Sequence, residues 1–355
     1  MDRDESLQIE LIRVLCILSM MWVHVSPGFS FATYVNEGPM DTVGLVLGRT
    51  LGRISVTTLS FVSGYLFWRT AANRPPGQVL NRVLSGLLLP MLVWSGLFLA
   101  LAVAKGMIVD EQAAALGRVT PGLWGIFNAW SGLAAPTANL SLFFIRDLIV
   151  ATLILRLAVP LVSRLPGLAV VLALATLALP QTAPLLFRPN ILLFMVLGAV
   201  TARGDVTLLS LSRPRVALLI GLALTLLTVL MAKGGLTARF GLDAPHDLLR
   251  RAGIGLLMLA LTRILARLRW AGWLAGFGRH GFLAYLSHVT VIGIFWVVWQ
   301  RLVGPPSQPS YLVFYLAMPL VCLLLAALAG RGIDRAPAPL QLIVRGKVFP
   351  PGPVP

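Results

Sequence analysis

The chain is short of charge. Only 12% of its 355 residues are Asp, Glu, Lys or Arg, where a soluble globular domain carries about 25%. That shortage excludes an ordinary soluble domain. Cysteine is nearly absent: Cys16 and Cys322 both sit inside apolar runs, so neither a disulfide framework nor a metal site is expected. Lysine is scarce as well, 3 residues against 26 Arg. The net charge of +16 is no nucleic-acid signal, because the Arg residues are spread over the ends of apolar runs. The 9 Trp and 16 Phe lie in those runs rather than in a basic–aromatic stripe, so no nucleic-acid partner is expected.

What the chain has is apolar length. Hydrophobic residues make up 57% of it, and the mean hydropathy is +0.86. Apolar segments near the length that crosses a bilayer fall at residues 8–26, 53–68, 83–104, 140–162, 166–180, 189–203, 215–232, 248–266, 281–303 and 311–330. This predicts an all-α polytopic integral membrane protein of about ten transmembrane helices, surrounded by membrane lipid. Residues 36–52 add a candidate interfacial helix. The acidic start (Asp2, Asp4, Glu5) and the Arg and His in the first run argue against a cleaved signal peptide.

Orientation follows from the distribution of Arg and Lys. With Arg13, Arg146 and Arg156 set aside as lying within spans, one set of alternate connections holds 16 and the other 10. The richer set includes both ends of the chain, so both termini are expected in the cytoplasm. Residues 1–335 form the expected transmembrane domain, and 336–355 a short cytoplasmic tail.

The first span contains "RVLCILSMMWVH", residues 13 to 24. Eleven helical steps of about 100° end roughly 20° past three full turns, with a rise of about 16 Å. Arg13 and His24 are therefore expected on one face at different depths, where one long ligand would meet both. Ionisable residues inside a membrane are costly, and each is a functional-site hypothesis. The competing reading is that both side chains reach for the two interfaces.

Five further stretches follow in order: "RISVTTLSFVSGYLF" (53–67); a span led by Arg82 with Pro90 and Trp94; "SLFFIRDLIV" (141–150); "FMVLGAVTARGD" (194–205); and "GRHGFLAYLSHV" (278–289). Together with Arg13–His24, this series resembles the membrane-bound acyltransferase 3 family over nearly the whole chain. The departures are Ser141 and Phe143, where the family often has His and Trp, and the wider spacing of Arg69 and Arg74. The resemblance implies an acyl-CoA-dependent O-acyltransferase that acylates a glycan or a lipid-linked sugar, with acetyl-CoA as the first-choice donor. It places His24 as the general base and His288 near the active centre.

The chemistry agrees with that assignment. Taking the proton of a sugar hydroxyl needs a base with a pKa near neutrality, which is histidine's range. Coenzyme A carries several phosphates, and the planar Arg fork suits them. Arg13 is thus expected to hold the phosphate end while His24 works at the thioester. Arg69, Arg74 and Arg82 border the next cytoplasmic connection and are further phosphate-binding candidates, with ordinary positive-inside anchoring as the alternative. Arg53 opens the second span near the depth of His24 and is a candidate for a developing oxyanion. Arg146 and Asp147 lie inside a span. Adjacent helical residues point about 100° apart, so each is expected to find its partner on another helix, as substrate contact or as structural glue. Ser63 and Gly64 fit close helix packing. His288 has a satisfied core histidine as its alternative, and His280 is expected at the surface. The segment 105–139, with Asp110, Glu111, Trp124, Asn128 and Trp130, is a candidate acceptor surface or an interfacial aromatic belt.

An Arg-rich, Lys-poor, Ala/Leu/Gly-rich composition fits a GC-rich bacterium and hence its inner membrane. A transporter or flippase of a glycan or lipid precursor is the alternative function. It would carry inverted repeats with broken helices, and no internal symmetry is visible in the sequence.

Overall fold

The computed structural model describes residues 2–25, 43–108, 119–120, 122–179, 184–233, 243–305 and 308–349. The described residues are helical with no strand. In chain order the helices are α1 (Arg3–Trp22), α2 (Arg53–Thr70), α3 (Pro76–Ala104), α4 (Leu123–Ser131) and α5 (Phe143–Leu157). Next come α6 (Val159–Arg164), α7 (Pro166–Ala178), α8 (Pro189–Arg203), α9 (Leu208–Leu211) and α10 (Pro214–Lys233). The last five are α11 (Asp243–Leu265), α12 (Ala271–Gly276), α13 (Gly278–Leu302), α14 (Tyr311–Ile333) and α15 (Ala338–Arg345).

Each of the ten apolar runs carries a helix. Pro76, Pro166, Pro189 and Pro214 each open one, where a missing N–H costs nothing and the fixed φ favours the first turn. The run at 140–162 breaks into α5 and α6 at Ala158, just before Pro160, which cannot donate to the carbonyl a turn earlier. Among the described residues α3, α13 and α14 are long and apolar enough to cross a membrane, and α7, α8 and Pro214–Leu227 are shorter apolar helices. In place of a separate interfacial helix, Gly44–Gly52 is a π-helical stretch that runs directly into α2 and packs on α1. Residues 36–42 of that expectation lie outside the described residues.

The first helix is the hub. It packs against α2, α11, α12, α13 and α14, and the buried side chains of α1 run from Glu5 to Met21. Helix α2 in turn crosses α8 with backbone in contact. A Cβ on Gly64 would collide with the Met195 carbonyl, and one on Gly198 with the Phe61 carbonyl. Only residues without side chains permit that approach. The main apolar core joins Val14, Met21, Leu142, Ile145, Met195, Tyr285 and Cys322 from α1, α5, α8, α13 and α14. Val25, next to His24, belongs to the same core.

Candidate functional site

Helix α1 ends at Trp22, and the chain turns so that the His24 N–H donates to the Met21 carbonyl at 2.9 Å. This turn brings the imidazole of His24 against that of His288 in α13, with ring centroids 5.3 Å apart and planes at 57°. His288 is fully buried. Its Nδ1 lies 2.5 Å from the Tyr285 carbonyl. A carbonyl only accepts, so that contact assigns the proton of the neutral ring to Nδ1 and leaves Nε2 as an acceptor. Nε2 is buried and meets no hydrogen-bond partner. A buried acceptor held in a fixed tautomer and unspent by the fold is suited to taking a proton from a bound hydroxyl.

The ring of Tyr285 stands 5.7 Å from His288, and its hydroxyl donates to the Ser141 carbonyl. The backbone N–H and hydroxyl of Ser141 both donate to Asn139 Oδ1, at 3.1 and 2.7 Å. Asn139 Nδ2 is buried and without a partner. The loop before α5 is thereby tied to α13 beside the two imidazoles.

Arg146 and Asp147 sit one turn further along α5. Against expectation they meet each other directly, Nη1 to Oδ1 at 2.8 Å. Adjacent Cβ atoms diverge, but the long Arg side chain folds back far enough to close the gap. Arg146 also donates to the carbonyls of Gly132 (3.1 Å), Leu133 (3.1 Å), Leu185 (2.6 Å) and Pro184. Asp147, fully buried, accepts the backbone N–H groups of Phe187 at 3.3 Å and Arg188 at 2.7 Å. The pair thus fastens the segment 184–188, and through it Arg188. The Arg188 guanidinium lies 4.4 Å from the Phe143 ring centre and within electrostatic reach of His24.

The remaining predicted residues lie elsewhere. Arg13, midway along α1, is half-buried and donates to Glu10 at 2.6 Å. Arg53 opens α2, and its side chain lies outside the described residues. Arg69 pairs with Asp205 at 3.6 Å and stands 5.6 Å from the Tyr65 ring. Arg74 is exposed and donates to the Thr70 carbonyl at 2.8 Å; Arg82 is exposed on α3. In the segment proposed as an acceptor surface, Asp110 and Glu111 lie outside the described residues. Trp124 is exposed on α4, while Asn128 is buried and spends its amide on Trp124 and Ala134. Trp130 donates to the Leu92 carbonyl at 2.9 Å. His280, expected at the surface, is buried, because Gly330 of α14 leaves room for its ring.

Three features were not legible as parts of a site. Arg188 reads as one more connection Arg, and only the Asp147 anchor brings it against Phe143 of α5. Tyr285 falls in the quoted "AYLSH" stretch but carries no charge to flag it. Asp247 lies near the start of α11, where Arg250 and Arg251 both bond to it at 2.6 Å. Burial opposes its ionisation, but the bonds from Arg251 and Arg250 outweigh burial and hold its carboxyl below the usual carboxylate range. Among the described residues no group of three or more His, Cys, Asp and Glu is placed to hold a metal ion.

No solved structure matches this chain. The succinoglycan biosynthesis protein ExoH of Rhizobium meliloti is 27% identical over 356 aligned residues, which cover 98% of this chain and 93% of that protein. The family model Acyl_transf_3, an acyltransferase domain, matches residues 6–329. A match that takes in α1 with Arg13 and His24, the Arg146–Asp147 staple and His288 spans every part of the site just described, and the chain belongs to the acyltransferase 3 family.

Proposed function

We propose that this protein is a multi-pass membrane O-acyltransferase that moves an acyl group, acetyl first among candidates, from cytoplasmic acyl-CoA to a hydroxyl of a glycan or lipid-linked sugar. The observation that carries the reading is the His24–His288 pair: two imidazoles 5.3 Å apart, one with a buried acceptor nitrogen unspent by the fold. Membership of an acyltransferase family and similarity to a succinoglycan biosynthesis protein support acyl transfer to a polysaccharide.

In this reading the chain crosses the membrane about ten times with both termini in the cytoplasm of a bacterial inner membrane. Acyl-CoA enters from the cytoplasmic side and reaches Arg13, midway along α1, whose fork holds its phosphates. The thioester then lies toward His24, in the turn beyond the last residue of α1. The acceptor hydroxyl oxygen attacks the thioester carbonyl carbon while His24 takes the hydroxyl proton. Arg53, at the start of α2, is assigned to the oxyanion that develops. The C–S bond breaks as the tetrahedral intermediate collapses, and the coenzyme A sulfur takes the proton from the His24 imidazolium. His288, adjacent and fixed in its tautomer, keeps its Nε2 as an acceptor for the N–H of the His24 imidazolium.

Purified protein should bind acetyl-CoA and slowly release free thiol. His24→Ala should lower acyl transfer by about 10²–10⁴-fold, the usual loss for a positioned base, at normal expression. Arg13→Ala should weaken acetyl-CoA binding, with partial recovery in Arg13→Lys. A well-folded His24→Ala protein with near-normal transfer would sink the mechanism.

A further inference from the structure

A cavity of about 460 Å³ opens between the end of α7, the start of α8 and the start of α11. Its apolar wall includes Leu174, Leu177 and Leu248, and its polar side is made by Arg188, Asn190 and Asp247. The size is that of a small-ligand site, and an apolar wall with a few convergent polar groups is the usual build of one.

Three observations narrow what it would take. First, Arg188 lines this cavity and its guanidinium lies 4.4 Å from the Phe143 ring centre, two residues from Ser141, whose carbonyl the Tyr285 hydroxyl bonds next to His288; the cavity thus borders the shell around the imidazoles. Asp147 fixes its backbone at 2.7 Å, so the position does not depend on a loose loop. Second, the polar set offers guanidinium donors, an amide that both donates and accepts, and a carboxylate. Each Asp247 oxygen takes one bond from an arginine, Oδ1 from Arg250 and Oδ2 from Arg251, and keeps a second lone pair for another donor. Third, a phosphate only accepts hydrogen bonds, so it would leave the spare lone pairs of Asp247 without a donor, although Arg250 and Arg251 already pair with that carboxylate. A coenzyme or phospholipid headgroup is therefore a poorer fit than a neutral ligand dense in hydroxyls with C–H faces for the leucine wall. That is the chemistry of a sugar ring.

We infer that this cavity is the acceptor-binding site, where a sugar of the glycan is held by Arg188, Asn190 and Asp247 with one hydroxyl presented to His24. The inference rests on the acyltransferase reading above and adds where the acceptor enters. Donor and acceptor then approach His24 from opposite ends, the donor along α1 and the acceptor between α7, α8 and α11.

The test is to fill the cavity from two walls, with Asn190→Trp and Leu177→Trp, and to read two quantities. One is the alkali-released ester on the surface polysaccharides of cells carrying each variant as their sole copy. The other is the affinity of the purified protein for acetyl-CoA. Both variants should lower the ester by at least about tenfold and change acetyl-CoA affinity by less than about twofold. Asn190→Ala, which removes one hydrogen-bonding amide without adding bulk, should raise the apparent acceptor KM by up to roughly tenfold and serves if the larger residues prevent folding. Folded Trp variants with wild-type ester levels, or an Asn190→Ala protein with an unchanged acceptor KM, would overturn the assignment and leave the cavity to a lipid. Loss of acetyl-CoA binding in the wild type would instead show that the acyltransferase reading had failed, and the acceptor site with it.

Discussion

Near the start of α1, Glu5 and Gln8 are buried and tied to other elements on several sides; beyond its end, the buried polar atoms around His24 and His288 are only partly engaged. Glu5 accepts from the Tyr65 hydroxyl at 2.6 Å and from the Leu208 N–H at 3.0 Å. Gln8 donates to Ser212 at 3.0 Å and to the Leu259 carbonyl at 3.1 Å. At the other end His288 Nε2 and Asn139 Nδ2 are buried with no partner. A folded chain satisfies nearly all its buried polar groups, so exceptions call for an explanation. The first region is a polar clasp that joins α1 to α2, α9 and α11. The second holds hydrogen-bonding capacity in reserve for something the chain does not itself supply.

The difference is open to direct test, and the largest effect is expected between the two regions, at Arg146. Arg146→Ala would strand a fully buried Asp147 and free four backbone carbonyls. Breaking such a pair typically costs about 3–5 kcal/mol, so thermal unfolding in detergent should show a large loss of stability. A variant as stable as wild type would mean that Arg146 serves a substrate and is no structural staple. The Glu5 region should respond more mildly. Glu5→Ala leaves a tyrosine hydroxyl and a backbone N–H without their acceptor, a loss of about 1–3 kcal/mol. Transfer activity per folded molecule should stay at the wild-type level; a selective fall in activity at unchanged stability would erase the contrast between the two ends. Smallest of the three is Tyr285→Phe, which removes one neutral hydrogen bond to Ser141, worth about 0.5–1.5 kcal/mol. The carbonyl that fixes the His288 tautomer is backbone and survives this change. Activity should therefore remain within about tenfold of wild type, and a loss as large as that of His24→Ala would assign the hydroxyl itself to the reaction.

Much of the fold was legible because its signals are local. Ten apolar runs become helices, and Pro76, Pro166, Pro189 and Pro214 mark where four of them begin. The site was legible in part. His24 and His288 stood out because ionisable residues are rare in apolar runs, and the structure brings them into contact. Arg69 stood out as a cation bordering a cytoplasmic connection but stands beside Asp205, a neighbour that no spacing along the chain announces. His280 was misplaced at the surface because the room for its ring is made by Gly330, on a different helix.

The amino-acid sequence by itself determined the helical class, the apolar character of the runs and the presence of costly charges within them, since each depends on residues within a few turns of one another. Only the tertiary structure decided which of those charges meet. The approach of α2 to α8 through Gly64 and Gly198, the fold-back of Arg146 onto Asp147 and the seating of Arg188 against Phe143 all depend on how helices distant in sequence pack. Helix periodicity fixes the direction in which a side chain leaves its own axis; the packing of other helices around that axis decides what it meets.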